Sequence, residues 1–135
     1  MNDRPVFEMT LTARSEHIDV LGHVNNAVWV QWMELVAVTH WETVAAPSHK
    51  DAYFWVVVRH EIDYLRAAHE GDRLIARTWA GEKPQGARYD RYMEFVGEDE
   101  KPRVRARSWW AIIDKATGKP IRVPPEVVAP FRASE

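Results

Sequence analysis

The run Ala27-Val28-Trp29-Val30-Gln31-Trp32-Met33-Glu34-Leu35-Val36-Ala37-Val38 constrains this chain more than any other stretch. Only Gln31 and Glu34 in it are polar. A helix that is apolar on nearly every side cannot rest on a surface; other elements must enclose it. The run is too short and too interrupted to span a bilayer, which takes about 20 apolar residues. Its apolar pattern continues through Trp41 and Val44, past the length of a typical strand, so a helix is predicted. Asn25 or Asn26 is a natural N-cap, because its side-chain oxygen can accept from an orphan backbone N–H. Pro47 sets the far limit, which places the helix at about Asn26 to Ala45.

The remaining chain supplies strands to wrap it. Val6 to Ala13 alternates, with Phe7, Met9, Leu11 and Ala13 on one face. Pro47 to Asp51 reads as a polar link. Tyr53 to Leu65 is the strongest strand, with Phe54, Val56, Val58, His60, Ile62 and Tyr64 assigned to one face. Arg73 to Ala80, Ala87 to Val96 and Arg103 to Asp114 follow. On the second of these, Tyr89, Met93 and Phe95 oppose Arg88, Asp90, Tyr92 and Glu94. A proline-rich tail carries a short helix at Glu126 to Ala129. Short links favour antiparallel neighbours. The expectation is an α+β chain, one domain over residues 1–135, with a single curved antiparallel sheet of about five strands around a central helix.

The loop before the helix, His17-Ile18-Asp19-Val20-Leu21-Gly22-His23-Val24-Asn25-Asn26, holds a carboxylate next to a helix N-terminus. Such an end presents free N–H groups and partial positive charge. A carbonyl held there, with Asp19 at hand to deliver water, makes a minimal hydrolase site. An Asp-Gly turn followed by an Asn cap explains the same spacing without any chemistry.

Asp-x-x-Gly-His-Val-Asn-Asn followed by a buried aromatic helix resembles the hotdog-fold acyl-CoA thioesterases of the 4-hydroxybenzoyl-CoA thioesterase type. His-Val-Asn-Asn is also similar to the motif of acyl-carrier-protein thioesterases. The order of elements after the motif extends the resemblance over nearly the whole chain. It implies a hotdog fold, hydrolysis of an acyl-CoA or acyl-carrier-protein thioester, Asp19 as catalytic carboxylate and the backbone N–H near Asn26 as the group that polarises the carbonyl. Two departures stand out: Trp29 where the family often has Tyr, and Ala67 where it often has Pro three residues after the strand tyrosine, here Tyr64.

Other residues add candidates. His23 could orient Asp19 or order the loop. Glu34, a carboxylate on an apolar helix, is the reserve catalytic group, since another hotdog branch keeps its carboxylate on the central helix. Gly22, Asn25, Trp29, Arg88 and Arg91 are expected to contact substrate, with Trp29 and Trp32 beside an aromatic acyl pocket. Arg103, Arg105 and Arg107 form a basic strand face that Asp90 and Glu94 can balance. His60 reads as a core histidine. His17 and His23 lack a local third ligand for zinc, so no metal is expected, and no cofactor beyond the coenzyme A of the substrate itself.

Composition closes off other classes. With no cysteine, disulfides and thiol nucleophiles are excluded. A net charge of −2 gives no global pull toward nucleic acid. No glycine-rich phosphate loop and no Gly-x-Ser-x-Gly is present. The first residues lack an apolar signal region, so a cytoplasmic, non-membrane location is expected. Seven tryptophans and an unpaired sheet edge exceed what one copy covers, so a homodimer or homotetramer is expected, with the Tyr53 to Arg59 strand at the edge. A non-catalytic acyl-CoA binding domain and a hotdog hydratase or dehydratase are the alternative functions.

Overall fold

The computed structural model describes residues 5–132. In chain order it has β1 (Phe7–Thr12), a 3-10 turn (Ser15–His17), α1 (Asn26–Val44), α2 (Pro47–Ala52), β2 (Tyr53–Tyr64), β3 (Arg73–Ala80), β4 (Arg88–Gly97), β5 (Pro102–Asp114), β6 (Lys119–Pro120), α3 (Pro125–Val128) and a last 3-10 turn (Ala129–Phe131). The sheet is antiparallel in the order β1-β3-β4-β5-β2, with the two-residue β6 on β5. It curls around α1, which is the hotdog architecture.

The central helix forms as its sequence requires. Asn25 caps it, its side chain accepting from Ala27 N–H at 2.9 Å. Val28, Trp29, Trp32, Met33, Val36, Ala37 and His40 are buried along it. Trp29 and Trp32 meet edge to face at 5.3 Å, and Phe95 of β4 packs on Trp29 at 5.2 Å. Leu74 and Ala76 of β3, Met93 of β4 and Val104 and Ala106 of β5 close the same core. A second cluster lies under the far end of α1, where Val127, Val128 and Phe131 of the tail cover Tyr89 and Ile112.

Two expectations are corrected. Pro47 to Asp51 is helical rather than a link: Pro47 begins α2, since its fixed φ suits the first helical turn and its missing N–H costs nothing there. The face assignment along β2 also changes. Pairing with β5 slips between Val57 and Arg59, a bulge that adds one residue and reverses the alternation. Trp55 therefore turns toward Trp41 of α1, at 6.0 Å, while Phe54, Val56 and Val58 are exposed. His60 and Ile62, beyond the bulge, keep the inward side.

β1 and β2 are the outer strands of the main sheet path, so β2 is an edge as expected. The basic face of β5 is balanced by acids: Arg107 pairs with Asp90 at 2.9 Å, Arg105 with Glu94 at 3.5 Å and Arg103 with Asp99 at 3.0 Å. None of the described helices is long and apolar enough to cross a membrane.

The wrapped core makes a direct prediction. Phe95 is fully buried against Trp29. Phe95→Ala should lower unfolding free energy by about 3–5 kcal/mol, read from the urea midpoint at unchanged m-value. A loss below about 1 kcal/mol would mean that this contact is not central to the core.

Candidate active site

The loop from Ile18 to Asn25 is tied to itself before it meets the helix. Ile18 and Val24 form an isolated antiparallel bridge. Asp19 N–H donates to the His23 carbonyl at 2.9 Å, and Gly22 N–H donates to the Asp19 carbonyl at 3.0 Å. Gly22 sits at φ 82°, the left-handed conformation that glycine adopts without a Cβ penalty. Asp19 Oδ1 accepts from Leu21 N–H at 2.9 Å and, at a longer 3.4 Å, from His23 N–H. Its Oδ2 has no hydrogen-bond donor among the described residues. Outside the loop, Val24 N–H donates to the Ala68 carbonyl at 2.8 Å and fastens the assembly just past the end of β2.

The helix start is equally defined. Ala27 N–H donates to the Asn25 side chain, and Val28 N–H donates to the Asn25 carbonyl at 2.9 Å. Asn26 N–H has no acceptor among the described residues. One free carboxylate oxygen and one free helix N–H thus stand on a single braced loop-to-helix unit.

The other expected residues are distributed more widely. His23 takes part in the loop through its backbone, while its ring packs on His69 at 5.1 Å. The ring makes no hydrogen bond or ion pair with Asp19 among the described residues. Trp29 is 2% exposed and Trp32 6%, both within the core. Glu34 lies about 12 Å along α1 from Asn26, from the rise per residue. Its Oε2 is 3.9 Å from His60 Nε2, and His60 Nδ1 is 2.6 Å from Ser108 Oγ. Arg88 is exposed at the start of β4. Arg91 is on the inner face of β4 and partly buried.

A cavity of about 240 Å³ lies under the second half of α1. Ala37, Val38 and Trp41 line it from the helix, Tyr53 and Trp55 from β2, and Arg91 and Trp110 from β4 and β5. Its aromatic lining does not include Trp29 or Trp32, the residues expected beside an acyl pocket, and its helical tryptophan, Trp41, lies toward the opposite end of α1. Arg91 Nη1 donates to His40 Nδ1 at 2.9 Å and to Thr78 Oγ1 at 2.8 Å. Thr78 Oγ1–H in turn donates to the Tyr92 carbonyl at 2.8 Å. His40 is held between Phe7, stacked at 4.8 Å, and Phe131, edge-on at 4.8 Å. Burial, helped by the Arg91 charge, pushes the His40 pKa down to about 3, and burial pulls that of Arg91 down to about 10. His40 is therefore a neutral acceptor and Arg91 a cation at neutral pH. Sequence reasoning passed over His40 and Thr78. The signal for His40 was its spacing, three and four residues after the core positions Ala37 and Val36.

Comparison with known proteins identifies the family and the fold. The family model described as the thioesterase-like superfamily matches residues 13–131. No curated protein matches the chain. Among solved structures, a Thermus thermophilus thioesterase complexed with coenzyme A and zinc is similar with a TM-score of 0.81 at 23% identity, covering 96% of this chain and 99% of its own. A Staphylococcus aureus protein solved in complex with coenzyme A gives 0.81 at 17% identity, covering 94% and 81%. A 1,4-dihydroxy-2-naphthoyl-CoA thioesterase from Synechocystis gives 0.74 at 19% identity, covering 90% and 92%. At these identities the likeness is one of fold. The described residues contain no group of three or more His, Cys, Asp or Glu able to hold a metal ion.

His40 carries a pH prediction. The folded chain keeps it neutral down to about pH 3, whereas the unfolded chain protonates it near 6.5. Between those values the unfolded state binds more protons, so stability falls as pH drops through that window. His40→Gln should lose less stability than wild type between pH 7 and 4.5, by on the order of 2 kcal/mol, measured from urea midpoints. Equal losses would place the acid sensitivity elsewhere.

Proposed function

Because this chain belongs to the thioesterase-like superfamily and is a thioester hydrolase, we propose that it cleaves an acyl-CoA with Asp19 as the catalytic carboxylate and Asn26 N–H as the carbonyl-polarising donor. The observation that carries this reading is the pair of unsatisfied groups on one braced unit, Asp19 Oδ2 and Asn26 N–H. The thioester carbonyl oxygen accepts from Asn26 N–H, where the helix end favours developing negative charge. In the general-base route, Asp19 takes a proton from water as the water oxygen bonds to the carbonyl carbon. The C–S bond then breaks, and the thiol leaves with that proton. In the nucleophilic route, Asp19 Oδ2 itself attacks, the thiolate departs, and water opens the mixed anhydride. Solved relatives bound to coenzyme A support an acyl-CoA carrier, and acyl-carrier-protein thioesters belong in the same substrate screen.

We place the acyl pocket of each site in the partner subunit of a homodimer. Within one chain the cavity and the Asp19 loop are far apart: Asn26 and Trp41 are separated by about 22 Å of helix. β2 gives the route to join them. Its two ends lie roughly 36–40 Å apart over 12 residues. The cavity is at its Tyr53 end, and the Asp19 loop is fastened to Ala68, past its Tyr64 end. Antiparallel pairing of two β2 edges sets the Tyr64 end of one copy beside the Tyr53 end of the other. That carries the loop of one subunit to the cavity of its partner. Exposed Phe54, Val56, Val57 and Val58 on β2, and Leu35 and Val38 on α1, supply apolar surface for such an interface. Val20 and Leu21 at the loop tip, 102% and 74% exposed, are suited to partner contact as well.

Asp19→Asn keeps the shape of the loop and removes the base. Thiol release from a panel of acyl-CoAs should fall by at least ~10²-fold in kcat, the scale of general-base contributions. A variant with wild-type rate on a good substrate would remove Asp19 from the mechanism and promote Glu34.

A further inference from the structure

The cavity under α1 holds a charge that its own walls leave unanswered. Arg91 contributes two hydrogen bonds, both from Nη1 and both to neutral acceptors, His40 and Thr78. Its Nε and Nη2 have no acceptor, and no carboxylate pairs with it, among the described residues. The guanidinium is only partly buried, and with no counter-charge beside it those N–H groups are left to form charge-assisted hydrogen bonds with an anionic ligand. Trp110, on the same wall, has a buried indole Nε1–H that also lacks an acceptor. Lys50 and Lys115 add positive charge to the lining. Of the two lining carboxylates, Asp90 is taken by Arg107 at 2.9 Å and Glu42 lies 3.9 Å from Lys50. The rest of the lining is apolar and aromatic.

From this geometry we infer that the acyl group bound in the cavity ends in a carboxylate, held by Arg91, so that the preferred substrate is the monothioester of a short dicarboxylic acid. The inference rests on the thioesterase reading above and adds the acyl class. His40 and Thr78 fix one edge of the guanidinium and turn its remaining N–H groups to the ligand. A planar fork of that kind matches a carboxylate with two parallel hydrogen bonds. At about 240 Å³ the cavity is smaller than drug-sized pockets, which suits a chain of a few carbons. A methyl-terminated chain of equal length would desolvate the cation and give it nothing in return.

The test compares matched pairs: glutaryl-CoA against pentanoyl-CoA, and adipyl-CoA against hexanoyl-CoA. Wild-type kcat/KM should favour the carboxylated member by about 10- to 100-fold, the scale of one charge-assisted contact. Arg91→Gln should bring that ratio close to one, and Arg91→Lys should retain part of it. Binding is read separately from turnover by tryptophan fluorescence, since Trp41, Trp55 and Trp110 line the cavity. Asp19→Asn should bind intact glutaryl-CoA more tightly than pentanoyl-CoA by a similar factor. If neither member of a pair is hydrolysed but glutaryl-CoA still binds preferentially, the thioesterase reading falls and the carboxylate site stands. A wild-type enzyme that hydrolyses and binds both members of each pair equally overturns the inference. If Arg91→Gln does not fold, the wild-type ratios and Arg91→Lys decide it.

Discussion

Enclosing α1 is the constraint on which the rest of the structure depends. A 19-residue helix with apolar side chains on almost all sides leaves no stable solution in which it meets water along its length. One curled sheet covers most of it. β3, β4 and β5 supply Leu74, Ala76, Met93, Phe95, Val104 and Ala106, and the tail returns Val127, Val128 and Phe131 over the far end. Leu35 and Val38 remain exposed beside an open β2 edge. The same demand that curls the sheet leaves an apolar flank, the surface that the proposed dimer would cover.

Under the proposed function the two ends of the helix carry different duties. At its start, a glycine turn and an Asn cap set Asp19 and the unspent Asn26 N–H on one loop-to-helix unit. Toward its end, His40 braces the partly buried Arg91 in an aromatic cavity. In the account developed above, chemistry and acyl recognition are kept at opposite ends of one rigid element and meet only through the two-fold relation of a dimer. Helix length then sets a spacing that neither a loop change nor a side-chain rotation can close within one subunit.

Much of this was legible in the sequence, for physical reasons. The helix bounds followed from an apolar run between Asn25 and Pro47, and β3 follows from its alternation between turn residues. The Asp19 loop was legible because a carboxylate, a glycine and an Asn cap each leave a mark in sequence. What stayed hidden was phase. Val56-Val57-Val58 is apolar on both faces, so a period-two pattern carries no information about the bulge that reverses β2 there. Arg91 shares the parity of Tyr89 and Met93, yet the sequence offered it only as a substrate contact alongside the exposed Arg88. Its inward place depends on His40 and Thr78, which come from two other elements and become neighbours only on folding.

Subunit complementation tests the shared site most directly. Asp19→Asn removes the carboxylate, and Val38→Trp fills the cavity from its exposed helical wall. Each homodimer is expected to be inactive, with sedimentation confirming that both remain dimers. After the two are unfolded and refolded together, half of the dimers are hybrids, and each hybrid holds one site with neither lesion. The account predicts recovery of roughly a quarter of wild-type activity, the share that two-fold pairing allows. No recovery from verified hybrid dimers would show that carboxylate and cavity act within one subunit, and would contradict it.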